Sequence, residues 1–289
     1  MKKFKTALQT MVIHHDIDEL GAYEALKKVH AIGYNAVEIS GHFECNQKLV
    51  DDICRARDEF GMEVGALSVV YNGPFASDMP KFFRNIVPLR LVEDFDRVVD
   101  YCKQLGTKYV RYAGMPVMQL DTMDKLNEYL EFTQAMARKC KEHGIVMCAH
   151  NHDQEFAKLG GKSYFEWEVE KCPDLCFEFC VMCPAEAGCD LMDLMDSIKG
   201  RVPLIHFEDV KVVPQPMMKD GKRTPMEDKL HGCPLGDGNI NYKKFCDKAI
   251  ECGNDYFILE VSNFYGEDVY TAMKRAADCL KANGYADTF

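Results

Sequence analysis

His150 and His152 stand two residues apart where an apolar run beginning at Ile145 gives way to polar chain, and His206 and Glu260 end two similar runs. In extended chain, side chains two apart share a face. Imidazole and carboxylate both ligate divalent cations, so these groups brought to one point would make a metal site. Each histidine alone also reads as a hydrogen-bonded structural residue; it is the shared position at the ends of apolar runs that points to a site. Glu38 ends the run Ala36-Val37 and suits either a pocket wall or a buried structural carboxylate. Arg111, beside Tyr112, suits a substrate anion, although alternation lets only one of the two face inward. His14, His15 and Asp16 follow the first run, as hydroxyl-binding groups or as a solvated loop. His231 precedes Gly236 in a long loop and would sit on a lid, while Asp209 could orient the His206 imidazole. Gly236-Asp237-Gly238 lacks the strand–glycine-loop–helix context of a dinucleotide or phosphate site.

The elements that would position these groups repeat along the chain. Six times a glycine closes a helical stretch and a short apolar run follows: Gly33, Gly61, Gly106, Gly144, Gly200 and Gly253. Cys172-Pro173 makes a seventh such break. Glycine suits the left-handed residue past a helix end, and a buried parallel strand reads as a short apolar run. The expected strands are Phe4 to Val12, Ala36 to Ile39, Glu63 to Val69, Tyr109 to Tyr112, Ile145 to His150, Cys176 to Cys180, Val202 to His206 and Tyr256 to Val261. Helical stripes such as Leu91, Phe95, Val98, Val99, Cys102 and Leu105 lie between them. Eight strand–helix units predict an α/β fold, a single (β/α)8 barrel over residues 1–289, with chemistry at the carboxyl ends of the strands. Loops over residues 71–87 and 207–239 are long enough to be functional and would act as lids.

Several motifs occur in order: Gly33-Tyr34-x-x-Val37-Glu38, His150-Asn151-His152-Asp153-x-Glu155-Phe156, Arg201 through His206 to Asp209, Pro234-Leu235-Gly236-x-Gly238 to Asn241, and Leu259-Glu260. Together they resemble the sugar phosphate isomerase/epimerase family with the xylose-isomerase-like TIM barrel, across nearly the whole chain. Its relatives include hexulose 3-epimerases, inosose isomerases and dehydratases, and 3-keto-glycoside epimerases. The resemblance implies a divalent ion (Mn, Zn, Co or Mg) held by His150, Cys180, His206 and Glu260. His150 stands where many members have Glu, and Cys180 where Asp is expected. These softer donors lean toward Zn2+ or Fe2+ over Mg2+; Cys180 reads alternatively as a small buried hydrophobe in a weakened site. Glu178, on the same strand face as Cys180, could partly substitute and touch substrate. Glu260 would serve as one base, and His152 or Glu155 as a second.

The implied activity is a metal-dependent isomerase or epimerase of a sugar, keto-sugar or inositol derivative through an enediolate. A lyase or dehydratase on a keto-sugar or keto-glycoside, and a catalytically degenerate barrel acting as a binding or partner subunit, are the alternatives. A net charge of −11 argues against a nucleic-acid partner, and no apolar run is long enough to span a membrane. The first residues read as a strand and not as a signal peptide, and the 14 scattered cysteines read as reduced thiols. A cytoplasmic protein with a small carbohydrate substrate, homo-oligomeric or not, is the expectation.

Overall fold

In the computed structural model, eight parallel strands close into a barrel with helices outside. The residues it describes are 3–40, 44–75, 89–219, 221–223, 230–262 and 264–289. The strands are β1 (Lys5–Gln9), β2 (Ala36–Ile39), β3 (Glu63–Val69), β4 (Tyr109–Ala113), β5 (Val146–His150), β6 (Cys176–Cys180), β7 (Leu204–Phe207) and β8 (Tyr256–Leu259). Closure joins β1 to β8, with Leu8 opposite Leu259, so every barrel strand has two neighbours. Helices end and strands begin at the glycine breaks; Gly61 and Gly253 cap helices at φ 69° and 84°, a backbone that L side chains adopt only with strain.

Period two sorts each strand into two faces. Outward residues such as Phe177, Phe179, Phe207 and Phe257 pack on the helices with Phe165 and Phe245. Inward, Ala7, Ala36, Ala66, Tyr109, Cys148, Leu204 and Ile258 plug the floor of the barrel with a small apolar cluster of their own. The next inward residue toward the carboxyl end is polar on most strands: Gln9, Glu38, Arg111, His150, Glu178 and His206. The barrel is therefore apolar at its base and ionisable at its mouth.

Two expectations need correction. The first strand stops at Gln9, because Thr10–Ile13 turns into a 3-10 helix. The 207–239 loop is partly ordered into a hairpin, Asp209–Val212 against Leu230–Cys233, with Asp209 opposite Cys233. Of the lid expected over residues 71–87, positions 76–87 lie outside the described residues. All 14 cysteines are free thiols. Among the described residues no helix is long and apolar enough to cross a membrane.

Candidate active site

The deepest polar layer is a shared-charge cluster. Arg111 on β4 points inward, and Tyr112 points outward to Glu168. The Arg111 Nε lies 3.0 Å from Glu38 Oε1 and 3.0 Å from Glu178 Oε2. Two buried carboxylates thus share one guanidinium. Burial, then the charge of Glu178, pushes the Glu38 carboxyl up to about 7. Their other oxygens, Glu38 Oε2 and Glu178 Oε1, are buried and have no hydrogen-bond partner among the described residues. Neither Glu38 nor Glu178 lines the cavity above, so the substrate-binding role expected of them is corrected to support from beneath. Arg111 does reach the cavity wall, but its charge is already committed to these carboxylates.

Above this layer the mouth encloses a cavity of about 570 Å³, lined among others by Gln9, His150, His152, Cys180, His206 and Glu260. His150 sits opposite Glu178 in the β5–β6 register, and its Nδ1 lies 2.8 Å from Glu178 Oε2. That contact holds the ring and leaves Nε2 for another partner, the arrangement that orients metal-binding imidazoles. His206 lies opposite Cys180 across β6–β7. Its Nε2 is 3.0 Å from Glu260 Oε2, and with the amide suitably oriented the Gln9 oxygen accepts from it at 2.8 Å. In that orientation Gln9 also donates to Glu260 Oε1 at 2.6 Å and accepts from Arg111 at 3.0 Å. His206 Nδ1 is buried and has no hydrogen-bond partner among the described residues.

One donor atom from each of His150, Cys180 and His206 lies within 4.8 Å of the other two. Donors around one tetrahedral zinc ion stand about 3.3–3.8 Å apart, a modest contraction from this spacing. The orphaned Nδ1 of His206 and the neutral state of both imidazoles suit an ion. Burial depresses His150 and His206 well below the usual histidine range, His150 further through Arg111 and His206 through His150. The donor set is soft, and it fits zinc better than magnesium. Glu260, expected as a fourth ligand, lies outside this three-atom group and is bound instead to His206 and Gln9. Burial, then Glu208 and Cys180, raises its carboxyl well above the ordinary range.

The remaining expectations separate. His152 lines the cavity, its ring centroid 5.0 Å from that of His150, and burial and Arg111 keep it neutral. Glu155 also lines the cavity, but its two oxygens accept from the backbone N–H groups of Met115 at 2.8 Å and His152 at 3.0 Å. It ties two loops together, so the expected role as a second base is corrected to one of positioning. Asp209 does not orient His206: its carboxylate accepts from the N–H groups of Val210, Gly236, Gly238 and Ile240, at 2.9 to 3.1 Å, and shapes that turn. His231 lies on the hairpin, its ring 6.3 Å from Tyr265, outside the cavity lining. Gln9 and Asn151 escaped the sequence reading. Gln9 ends its strand in a polar residue like the others, but reading β1 through to Val12 hid that end.

A family model described as the xylose isomerase-like TIM barrel matches residues 26–283. No curated protein matches the sequence. Among solved structures, a sugar phosphate isomerase/epimerase from Parabacteroides distasonis is similar at TM-score 0.74 and 18% identity, covering 98% of this chain and 96% of that one. A probable 3-DHS dehydratase from Bacillus anthracis is similar at TM-score 0.68 and 13% identity, over 96% and 99% of the two chains. A protein named IOLI, with a binding zinc atom, is similar at 0.64 and 15%, over 98% and 99%. At these identities the structural likeness speaks to the fold.

Proposed function

The chain belongs to the xylose isomerase-like TIM barrel family, and from that premise we propose that it is a metal-dependent isomerase or epimerase of an unphosphorylated sugar, keto-sugar or inositol derivative. The observation that carries this reading is the convergence of His150, Cys180 and His206 in the cavity, with His206 Nδ1 unpartnered and the His150 ring held from behind by Glu178. A divalent ion bound there supplies Lewis acidity, polarising a carbonyl and stabilising the negative charge that develops beside it.

The chain's own groups supply the rest. Glu260 is a carboxylate in the cavity whose raised pKa makes it a stronger proton acceptor than an exposed glutamate. It removes a proton from the carbon next to the carbonyl, while Gln9 holds its Oε1 and so its orientation. His152, neutral and also in the cavity, returns a proton. The described lining holds a single cationic side chain, Arg111, and Glu38 and Glu178 already neutralise it. Nothing among those residues is left to pair with a phosphate, which favours an unphosphorylated substrate. Dehydration is the second reading: Glu155 is committed to backbone N–H groups, and a single base such as Glu260 suffices for β-elimination.

The test is to incubate zinc-loaded protein with a panel of ketohexoses and inososes in D2O. Deuterium entering the carbon beside the carbonyl, with an isomer as product, is the expected result; a product lighter by one water assigns the lyase reading. Purified protein that takes up no divalent ion and exchanges no proton would sink both.

A further inference from the structure

Cys180 and Cys183 are three residues apart, and their Sγ atoms lie 3.7 Å from each other. Among the described residues no other pair of thiols is in hydrogen-bond contact, although the chain carries 14 cysteines. Both line the cavity that contains His150, His206 and Glu260. Their backbone is held in place: the Asn151 side chain accepts from Cys180 N at 3.0 Å and donates to Cys180 O at 3.2 Å. Val181 N donates to His206 O at 3.0 Å, and the chain then turns into the short helix Met182–Glu186, which carries Cys183. A disulfide requires its sulfurs at about 2.05 Å, so side-chain rotation has to close a gap of under about 2 Å.

We propose that Cys180 and Cys183 are a reversible redox pair inside the pocket, oxidised by a peroxide to a disulfide that withdraws the Cys180 sulfur from the donor group. The dithiol stands on its own geometry; its coupling to an ion rests on the metal-dependent reading above. The chemistry balances with hydrogen peroxide as oxidant. One thiol loses its proton and its sulfur attacks a peroxide oxygen; the O–O bond breaks, water leaves, and a sulfenic acid remains. The second sulfur then attacks the sulfenic sulfur, the S–O bond breaks, and a second water leaves. Two electrons pass from the dithiol to the peroxide, and a small thiol reverses the change by exchange. Because the thiolate is the metal-binding form of cysteine, the disulfide and the complete donor group exclude one another.

The experiment treats the metal-free full-length chain with stoichiometric hydrogen peroxide, alkylates the remaining thiols and maps peptides by mass. The expected first product is a Cys180–Cys183 crosslink, lighter by two hydrogens, absent in both C180S and C183S and reversed by dithiothreitol. Alkylation of both residues after other cysteines have oxidised would overturn the pair. A second arm repeats the reaction with zinc at ten times its Kd, which lowers the reactive metal-free fraction by about tenfold. Crosslinking should slow by about that factor, and oxidation of loaded protein should release zinc to a chromogenic chelator. Because Cys183 lies outside the three-donor group, C183S should load zinc like the natural chain yet form no crosslink. Crosslinking at an unchanged rate, with no zinc released, would leave the redox pair standing and remove the metal coupling.

Discussion

Glu260 is where the chemistry of the pocket is most exposed to test, because its carboxylate is engaged without being tied to a cation. It contacts His206 and Gln9, and its side chain keeps a quarter of its surface accessible. A Glu260→Gln variant preserves volume and can keep one of the two contacts while removing the acceptor for a carbon-bound proton. It should retain zinc by elemental analysis and lose deuterium exchange by about 10²–10⁴-fold, the usual contribution of a general base. Loss of zinc together with activity would instead make Glu260 a ligand. The same scale explains why Arg111 was misread. Its residue type suits an anion, but the two glutamates that consume its charge come from β2 and β6, 73 and 67 positions away in the chain.

At the scale of elements, the helix Tyr164–Lys171 carries a buried carboxylate that the pocket does not use. Glu168 accepts from Tyr112 OH at 3.0 Å, and burial pushes it up to about 8. The sign follows from linkage: the folded state holds this proton more tightly than the unfolded chain does. Its contribution to stability is complete below the unfolded value of about 4.3 and disappears as pH rises through about 8. Glu168→Gln keeps an oxygen for Tyr112 and cannot ionise. Between pH 5 and 9, thermal melts should show the natural chain losing on the order of a few kcal/mol relative to the variant; parallel curves would mean that Glu168 is charged throughout. Element boundaries were largely legible, because the helix Tyr242–Cys252 stops at Gly253, the strand Ala36–Ile39 stops at Ser40, and the strands Glu63–Val69 and Cys176–Cys180 begin shortly after Gly61 and Pro173. The hairpin over Asp209–Val212 and Leu230–Cys233 was not, since Asp209 organises it through backbone N–H groups that leave no mark on side-chain pattern.

For the whole molecule, closure is the property on which the site depends. β1 joins β8 and β2, Phe4 stacks on Phe257 at 4.8 Å, and Gln9 reaches Glu260 across the seam. Deleting residues 1–9 would bare two strand edges, and exposed edges recruit other chains. The truncated protein should aggregate on gel filtration and lose its cooperative thermal transition; a monomer with an unchanged transition would show that seven strands suffice.

The sequence by itself determined the repeat, the strands and the rank of polar residues at their carboxyl ends, because glycine breaks, apolar runs and period-two alternation act over a few residues. It therefore located Glu38, His150, His206 and Glu260 at one rim, to which the family resemblance added Cys180. Only the tertiary structure decided which of them meet. Parallel register sets His150 against Glu178 and Cys180 against His206, while closure of the barrel carries Gln9 to Glu260. Partners separated by tens or hundreds of residues are chosen by stagger and closure, and no local spacing encodes that choice. The sharing of Arg111 between Glu38 and Glu178 and the proximity of Cys180 to Cys183 within the cavity both follow from that arrangement.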